Sequence, residues 1–244
     1  KNGNGIYRLS IPTGGGKTLS SMRYALELAK KEEKKHIIYV APFLSILEQN
    51  ANEIRTILND DDNILEHHSN VCIDENNVEQ LNRHELLADD WSAPIIMTTT
   101  VQFLNTLFDG GMQSVRRLHQ LTNAVIIIDE AQSIPIKCLN LFTTFMNYLS
   151  YCGNSTIVMC TATQPLFEKI NRPLLYKDKC KDMIPNIEFF SNEFKRVHIE
   201  RPDKKEYDYD SLAQFIVDKM DQNILVVLNT KGAVRGVYNA IKEL

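Results

Sequence analysis

Short apolar runs recur along the chain, each ending in small or polar residues and most passing into a helical pattern. Ile6–Ile11 leads into Pro12–Thr18, Ile37–Ala41 into Pro42–Ser45, and Ile95–Met97 into Thr98–Thr100. Val125–Ile128 leads into Asp129–Gln132, Ile157–Cys160 into Thr161–Thr163, and Ile224–Leu228 into Asn229–Thr230. The runs are continuous rather than alternating, as in strands buried on both faces, and this predicts a parallel sheet.

The segments between them read as helices. Leu19, Met22, Leu26 and Ala29 recur at helical spacing, and Lys30, Lys31, Lys34 and Lys35 follow where a helix C-terminus favours cations. Ser45-x-x-Glu48 has the form of a capping box before Ala51, Ile54 and Leu58, and Thr99-x-x-Gln102 has it before Phe103–Phe108. Leu139, Phe142, Met146 and Leu149 mark a further helix, with Pro135 near its start and Gly153 past its end. Strand–helix alternation predicts an α/β fold with a doubly wound, mostly parallel sheet. Ligands of such sheets bind at the carboxyl ends of the strands, where every polar cluster named above falls.

Two regions fit this alternation less well. Residues 59–93 carry Asp60, Asp61, Asp62, Asp74, Glu75, Asp89 and Asp90 with weak periodicity, and read as an acidic surface insertion or long connection. Residues 178–210 are charged and contain Pro185 and Pro202, which suggests a boundary near residue 190. The expected division is a first domain over 1–190, then a linker and the incomplete start of a second over 191–244.

Composition narrows the function class. With 27 Lys and Arg against 31 Asp and Glu, the formal charge is −4, which argues against a protein that coats nucleic acid electrostatically. Local grip through backbone amides and hydroxyls stays open. The five cysteines form no C-x-x-C pair, and read as buried, reduced, structural thiols of a cytoplasmic protein. Neither a membrane-spanning run nor a signal peptide is expected from the sequence. The chain opens on Lys1 and carries a phosphate-loop motif by residue 18, which reads as part of something longer.

The chemistry concentrates in three strand ends. Pro12-Thr13-Gly14-Gly15-Gly16-Lys17-Thr18 sits between a strand and a helix. Successive glycines let backbone N–H groups wrap phosphate oxygens, and the helix N-terminus adds positive potential. Lys17 is placed to reach the β- and γ-phosphates and Thr18 to ligate Mg²⁺. The strict phosphate-loop pattern has Gly where this chain has Ile11, a departure that helicase-type loops share. Val125–Ile128 then delivers Asp129 and Glu130, followed by Gln132. Asp129 suits Mg²⁺ held through water, and Glu130 suits orienting or deprotonating an attacking water. An apolar run ending in Asp-Glu also fits a capped helix start; the upstream phosphate loop favours the catalytic reading. Thr161 and Thr163 flank Ala162 at the next strand end, either as a plain turn or as hydroxyls that sense the γ-phosphate.

In this order the motifs resemble superfamily 2 helicases of the DEAD/DEAH-box kind. More narrowly, the chain resembles the helicase portion of the CRISPR-associated type I helicase–nucleases. The resemblance is carried by SIPTGGGKTLSSMRYAL, HIIYVAPFLSILEQNA, EHHSN, WSAPIIMTTTVQF, VIIIDEAQSIP, VMCTATQPLF and ILVVLNT, which span most of the chain. It implies a RecA-like ATP-binding domain and the start of a second one. It also implies an ATP- and Mg²⁺-dependent motor moving 3′ to 5′ on single-stranded DNA, working with the Cascade surveillance complex and an HD nuclease in antiviral defence. Pro42, Phe43 and Ser45 would then belong to one strand-contacting motif, and Thr99, Thr100 and Gln102 to another. Both loops offer hydroxyls and helix N-termini suited to phosphates rather than bases, and Ser45 and Thr99 serve equally as helix caps.

Parts of that family pattern are missing. None of the six histidines precedes an Asp, so the nuclease's His-Asp doublet is not in this sequence, and His67-His68 reads as a structural or surface pair. The second domain's arginine motif is absent as well, so the isolated fragment is expected to hydrolyse ATP poorly, by about 10³-fold or more. Two other readings stay open: an RNA helicase of the DEAD-box type, which has Asp where Gln132 stands, and a non-catalytic ATP-gated scaffold, which has no need of Glu130.

Overall fold

The computed structural model describes residues 4–12, 14–68, 78–162, 165–176, 182–184, 198, 206–220 and 223–244, with the backbone alone for 78–82. The chain divides into two units, Lys1–Lys195 and Arg196–Leu244.

The first unit is an α/β fold around a parallel sheet. Its strands are β1 (Gly5–Ser10), β2 (His36–Ala41), β3 (Ile64–His67), β4 (Ile95–Thr99), β5 (Ala124–Asp129) and β6 (Thr156–Thr161). They lie side by side in the order β1-β6-β5-β2-β4-β3, each pair parallel. Both faces are buried, because successive residues of a strand point to opposite sides. Ile6, Ile38, Val40, Ile96, Ile126, Ile128, Ile157 and Met159 serve one face. Leu9, Ile37, Tyr39, Met97, Val125, Ile127 and Val158 serve the other. The second face packs on helices α1 (Lys17–Glu32) and α2 (Leu44–Leu58) through Met22, Ala25, Leu28, Leu47, Ala51 and Ile54. The first packs on α4 (Thr100–Phe108), on the segment after α5 (Met112–Leu118), and on α6 (Leu139–Tyr151) through Phe103, Leu107, Leu121, Phe142, Met146 and Leu149. The doubly wound parallel sheet is therefore as the apolar runs require.

Several local expectations are corrected. Residues 59–93 are not merely a connection: they hold the edge strand β3 and helix α3 (Val78–Asp90). Trp91 closes that region with φ 57° and no exposed surface, its ring edge-on to His67 and under the Arg117 guanidinium. The buried stripe of α1 is Ser21, Met22, Ala25 and Leu28, so Leu19 faces outward. Ser45 does not cap α2: the cap position is Phe43, with no side-chain hydrogen bond. Thr99 does cap α4, accepting from the Gln102 amide at 3.3 Å. Of the described cysteines, Cys160 is buried and Cys152 is exposed, so the buried-thiol reading fits Cys160 and fails for Cys152. Cys72 and Cys180 lie outside the described residues. No helix among the described residues is long and apolar enough to cross a membrane.

In the second unit, α7 (Tyr209–Val217) and α8 (Lys231–Glu243) are capped by Asp208 and Thr230, which accept from Ser211 and Ala233 amides at 2.8 and 3.1 Å. Gly236 is the point of closest approach: a Cβ there would lie 2.7 Å from the Tyr209 ring. Ile224–Leu228, expected as a strand, is not one, and Leu225 is 88% exposed. A strand needs a neighbour for its backbone groups, and the described residues of this unit offer none.

His67 is the most perturbed histidine. Burial, with Arg117, His84 and His68 adding to it, lowers its pKa from 6.5 to about 4. Because the folded-state value is depressed, the unfolded chain takes up a proton first as pH falls. Stability held above pH 6.5 is therefore lost between pH 6.5 and about 4, about 3 kcal/mol in all. His67→Phe, which keeps a ring against Trp91, should flatten this part of the pH–stability curve in urea unfolding; parallel curves for parent and variant would contradict the assignment.

Candidate functional site

The strand order brings the polar strand ends together. β6 lies between β1 and β5, with Ser10 beside Thr161 and Asp129 beside Cys160. Hence the loop after β1, the carboxylates after β5 and the hydroxyl ending β6 share one edge of the sheet. On the far side of β5, β2 ends at Ala41, in register with Thr99 of β4.

The loop after β1 turns through Gly14 (φ 78°) and Gly16 (φ 74°), a left-handed conformation that costs glycine little, and the Gly15 amide closes a turn on the Pro12 carbonyl at 3.0 Å. Gly16 is the N-cap of α1, and no side chain caps it. The first amides of a helix have no partner inside it, so here they remain donors for a ligand.

Lys17 extends from this helix start to the end of β5. Its Nζ is 3.8 Å from Asp129 Oδ1 and is paired directly with Glu130 Oε1. Glu130 has φ 46°, a left-handed turn that breaks the strand's alternation and lets consecutive carboxylates serve one site. The chain of contacts continues through Gln132, whose Nε2 donates to Glu130 Oε2 at 2.6 Å. Its Oε1 accepts from Thr161 Oγ1 at 2.6 Å. Thr161 has no exposed surface. Lys17, Glu130, Gln132 and Thr161 thus form one continuous polar line across three strand ends.

The two carboxylates differ electrostatically. Burial raises the Asp129 carboxyl above its ordinary value, partly offset by a hydrogen bond from Tyr39 and by Lys17. Burial also raises Glu130, but the hydrogen bonds from Lys17 and Gln132 outweigh it and hold that carboxyl below its ordinary value. Asp129 has a second support absent from the sequence reading. Tyr39 Oη donates to Asp129 Oδ2 at 2.7 Å, and Asn50 Nδ2 donates to Tyr39 Oη at 3.2 Å. The available signal was a single aromatic residue within the aliphatic run of β2, since a buried tyrosine hydroxyl needs a partner.

These residues suit a magnesium–triphosphate group. A carboxylate has about four acceptor positions. Asp129 uses one on Tyr39 Oη and one on its neighbour's amide, Glu130 N at 3.0 Å, and so retains acceptors for a metal-bound water. The nearby ammonium and uncapped amides suit phosphate oxygens.

Of the other expected residues, Phe43 is 62% exposed and Ser45 is exposed at the start of α2. Thr99 and Gln102 are half-buried, at the start of α4. Thr100 is buried and donates to the Ala41 carbonyl at 3.3 Å, so its hydroxyl ties the β4–α4 junction to the end of β2. Thr13 and Thr163 lie outside the described residues.

The family model described as DEAD/DEAH box helicase matches residues 4–171. The CRISPR-associated nuclease/helicase Cas3 of Haloferax volcanii is 24% identical over 180 residues, 66% of this chain and 19% of that protein. Among solved structures, T. fusca Cas3 with AMPPNP is similar over 66% of this chain and 19% of its own, at 17% identity and TM-score 0.55. Mss116p, bound to ssRNA and AMP-PNP, is similar over 76% of this chain and 38% of its own, at 14% identity and TM-score 0.51. The chain thus spans about a fifth of the length of the Cas3 relatives it matches.

A test follows from the loop. A Cβ added at Gly16 meets nothing within 4 Å, so the cost of Gly16→Ala is backbone strain without a clash. Urea unfolding should show a loss of about 1–2 kcal/mol. An unchanged midpoint would show that this left-handed turn is not part of the folded loop.

Proposed function

The chain belongs to the DEAD/DEAH box helicase family, and on that premise we propose that it is the nucleotide-binding motor domain of an ATP-dependent single-stranded-DNA translocase serving CRISPR interference. The observation that carries this reading is Lys17 Nζ lying 3.8 Å from Asp129 Oδ1 at the end of an uncapped helix. The likeness to the CRISPR-associated nuclease/helicase Cas3 of Haloferax volcanii supports the choice of CRISPR defence, and single-stranded DNA is proposed with it. In the whole protein, the partners would be the Cascade surveillance complex and an HD nuclease. Residues 191–244 would be the linker and the start of a second RecA-like domain.

The steps assigned to this chain's residues are these. Thr13, Gly14 and Gly16 would present amides to the phosphates, joined by Gly15 once its amide leaves the Pro12 carbonyl, and Lys17 leaves Glu130 to meet the β- and γ-phosphate oxygens. Asp129, through water, and Thr18 would hold Mg²⁺, which when bound neutralises charge on those oxygens. Released from Lys17, Glu130 aligns the attacking water and accepts its proton. Gln132 joins Glu130 to Thr161, so a shift of the carboxylate is felt at the end of β6 and, beyond it, at Thr163. Pro42, Phe43, Ser45, Thr99 and Gln102 would contact the phosphates of the strand, while Thr100 holds their two loops together.

Asp129 and Glu130 also speak against a purely non-catalytic scaffold, because a binding switch has no use for a water-orienting carboxylate held ready beside the lysine.

Two variants separate binding from hydrolysis. Calorimetry with ADP should find binding lost in Lys17→Ala and kept in Glu130→Gln, whereas residual ATP hydrolysis should vanish in both. Unchanged ADP affinity in Lys17→Ala would overturn the role given to Lys17. In the full-length protein, ATPase activity should rise with single-stranded DNA and not with RNA; the reverse would favour the RNA helicase reading.

A further inference from the structure

A buried tyrosine next to the site is the least expected side chain of its strand. β2 reads His-Ile-Ile-Tyr-Val-Ala, and Tyr39 is 1% exposed among aliphatic neighbours. A phenylalanine would fill the same space. What the tyrosine adds is one hydroxyl, and that hydroxyl is fully committed.

Geometry explains the commitment. Tyr39 is in register with Ile127 on the adjacent strand β5. Asp129 is two residues further along and so on the same face, within diagonal reach of a long aromatic side chain. The hydroxyl carries one proton. Asn50 Nδ2 donates to the phenol oxygen, so the proton is directed the other way, to Asp129 Oδ2. Asn50 is itself buried, 6% exposed, on α2. One buried oxygen thus touches both Asp129 and the helix that follows the β2 loop.

We infer that Tyr39 is a positioning residue for the magnesium site: by holding Asp129 Oδ2 from behind it turns Oδ1 toward Lys17 and the metal-bound water, and Asn50 fixes the direction of its proton. This rests on the reading of Asp129 and Thr18 as the magnesium residues. Partners behind a metal-binding group tune affinity strongly, because they set the orientation and charge that the metal meets.

The test compares ADP binding to the full chain by calorimetry, with magnesium and with a chelator. Tyr39→Phe should reduce the magnesium-dependent tightening about tenfold and leave metal-free ADP affinity unchanged. Asn50→Leu should act in the same direction by about threefold, and stands in should Tyr39→Phe fail to fold. Asp129→Asn serves as the reference and should abolish the magnesium effect. If Asp129→Asn loses the effect while Tyr39→Phe and Asn50→Leu keep it, the positioning role is overturned and the metal reading stands. If Asp129→Asn keeps it, the metal reading falls and takes this role with it. If Tyr39→Phe weakens metal-free and magnesium-dependent binding equally, the tyrosine is merely structural and the inference is overturned.

Discussion

A parallel sheet buried on both faces has room for charge only where its strands end. That constraint organises this molecule. The residues of β5 and β6 up to their ends are aliphatic, small or sulfur-bearing and have essentially no exposed surface. Charge therefore collects at their carboxyl ends, and the order β1-β6-β5 sets a lysine from one strand's loop against carboxylates from another. The site is a consequence of strand order, not of any single motif.

Within the site, opposite charges face each other. Lys17 is held by Glu130, and Glu130 in turn by Gln132. Exchanging one carboxylate for phosphate oxygens keeps the ammonium paired at low cost, since neither arrangement leaves it bare in a poorly solvated site. In the proposed function, that exchange is what would free Glu130 when a nucleotide binds. Asp129 is placed differently: Tyr39 holds its Oδ2, whereas Oδ1 is the oxygen near Lys17.

Much of this was legible in the sequence, and the exceptions have physical causes. Five of the six apolar runs are strands, because a continuous aliphatic run buried on both faces has few alternatives. Ile224–Leu228 has the same pattern and is not a strand, since pairing is a property of two segments and a run names only one. β3 escaped notice because Ile64 and Leu65 are its only apolar residues, enough for an edge but too few for a run. The Ser45 capping box failed because α2 begins two residues earlier than a Ser45 cap requires, at Leu44, after an extended Phe43. In the site, Lys17, Asp129, Glu130 and Gln132 were readable because glycines and paired carboxylates at strand ends have few structural uses. Tyr39 and Asn50 were not, because their contact joins a strand to a helix whose relative placement no local spacing encodes.

The central claim is that Lys17 and Asp129 close around a phosphate chain. A crystal structure of the chain grown with ADP and magnesium tests it most directly. The account predicts phosphate oxygens on the Gly14–Lys17 amides, Lys17 Nζ moved from Glu130 onto them, and a magnesium-bound water on Asp129. Nucleotide bound elsewhere, or Lys17 still paired with Glu130 beside a bound phosphate, would contradict it.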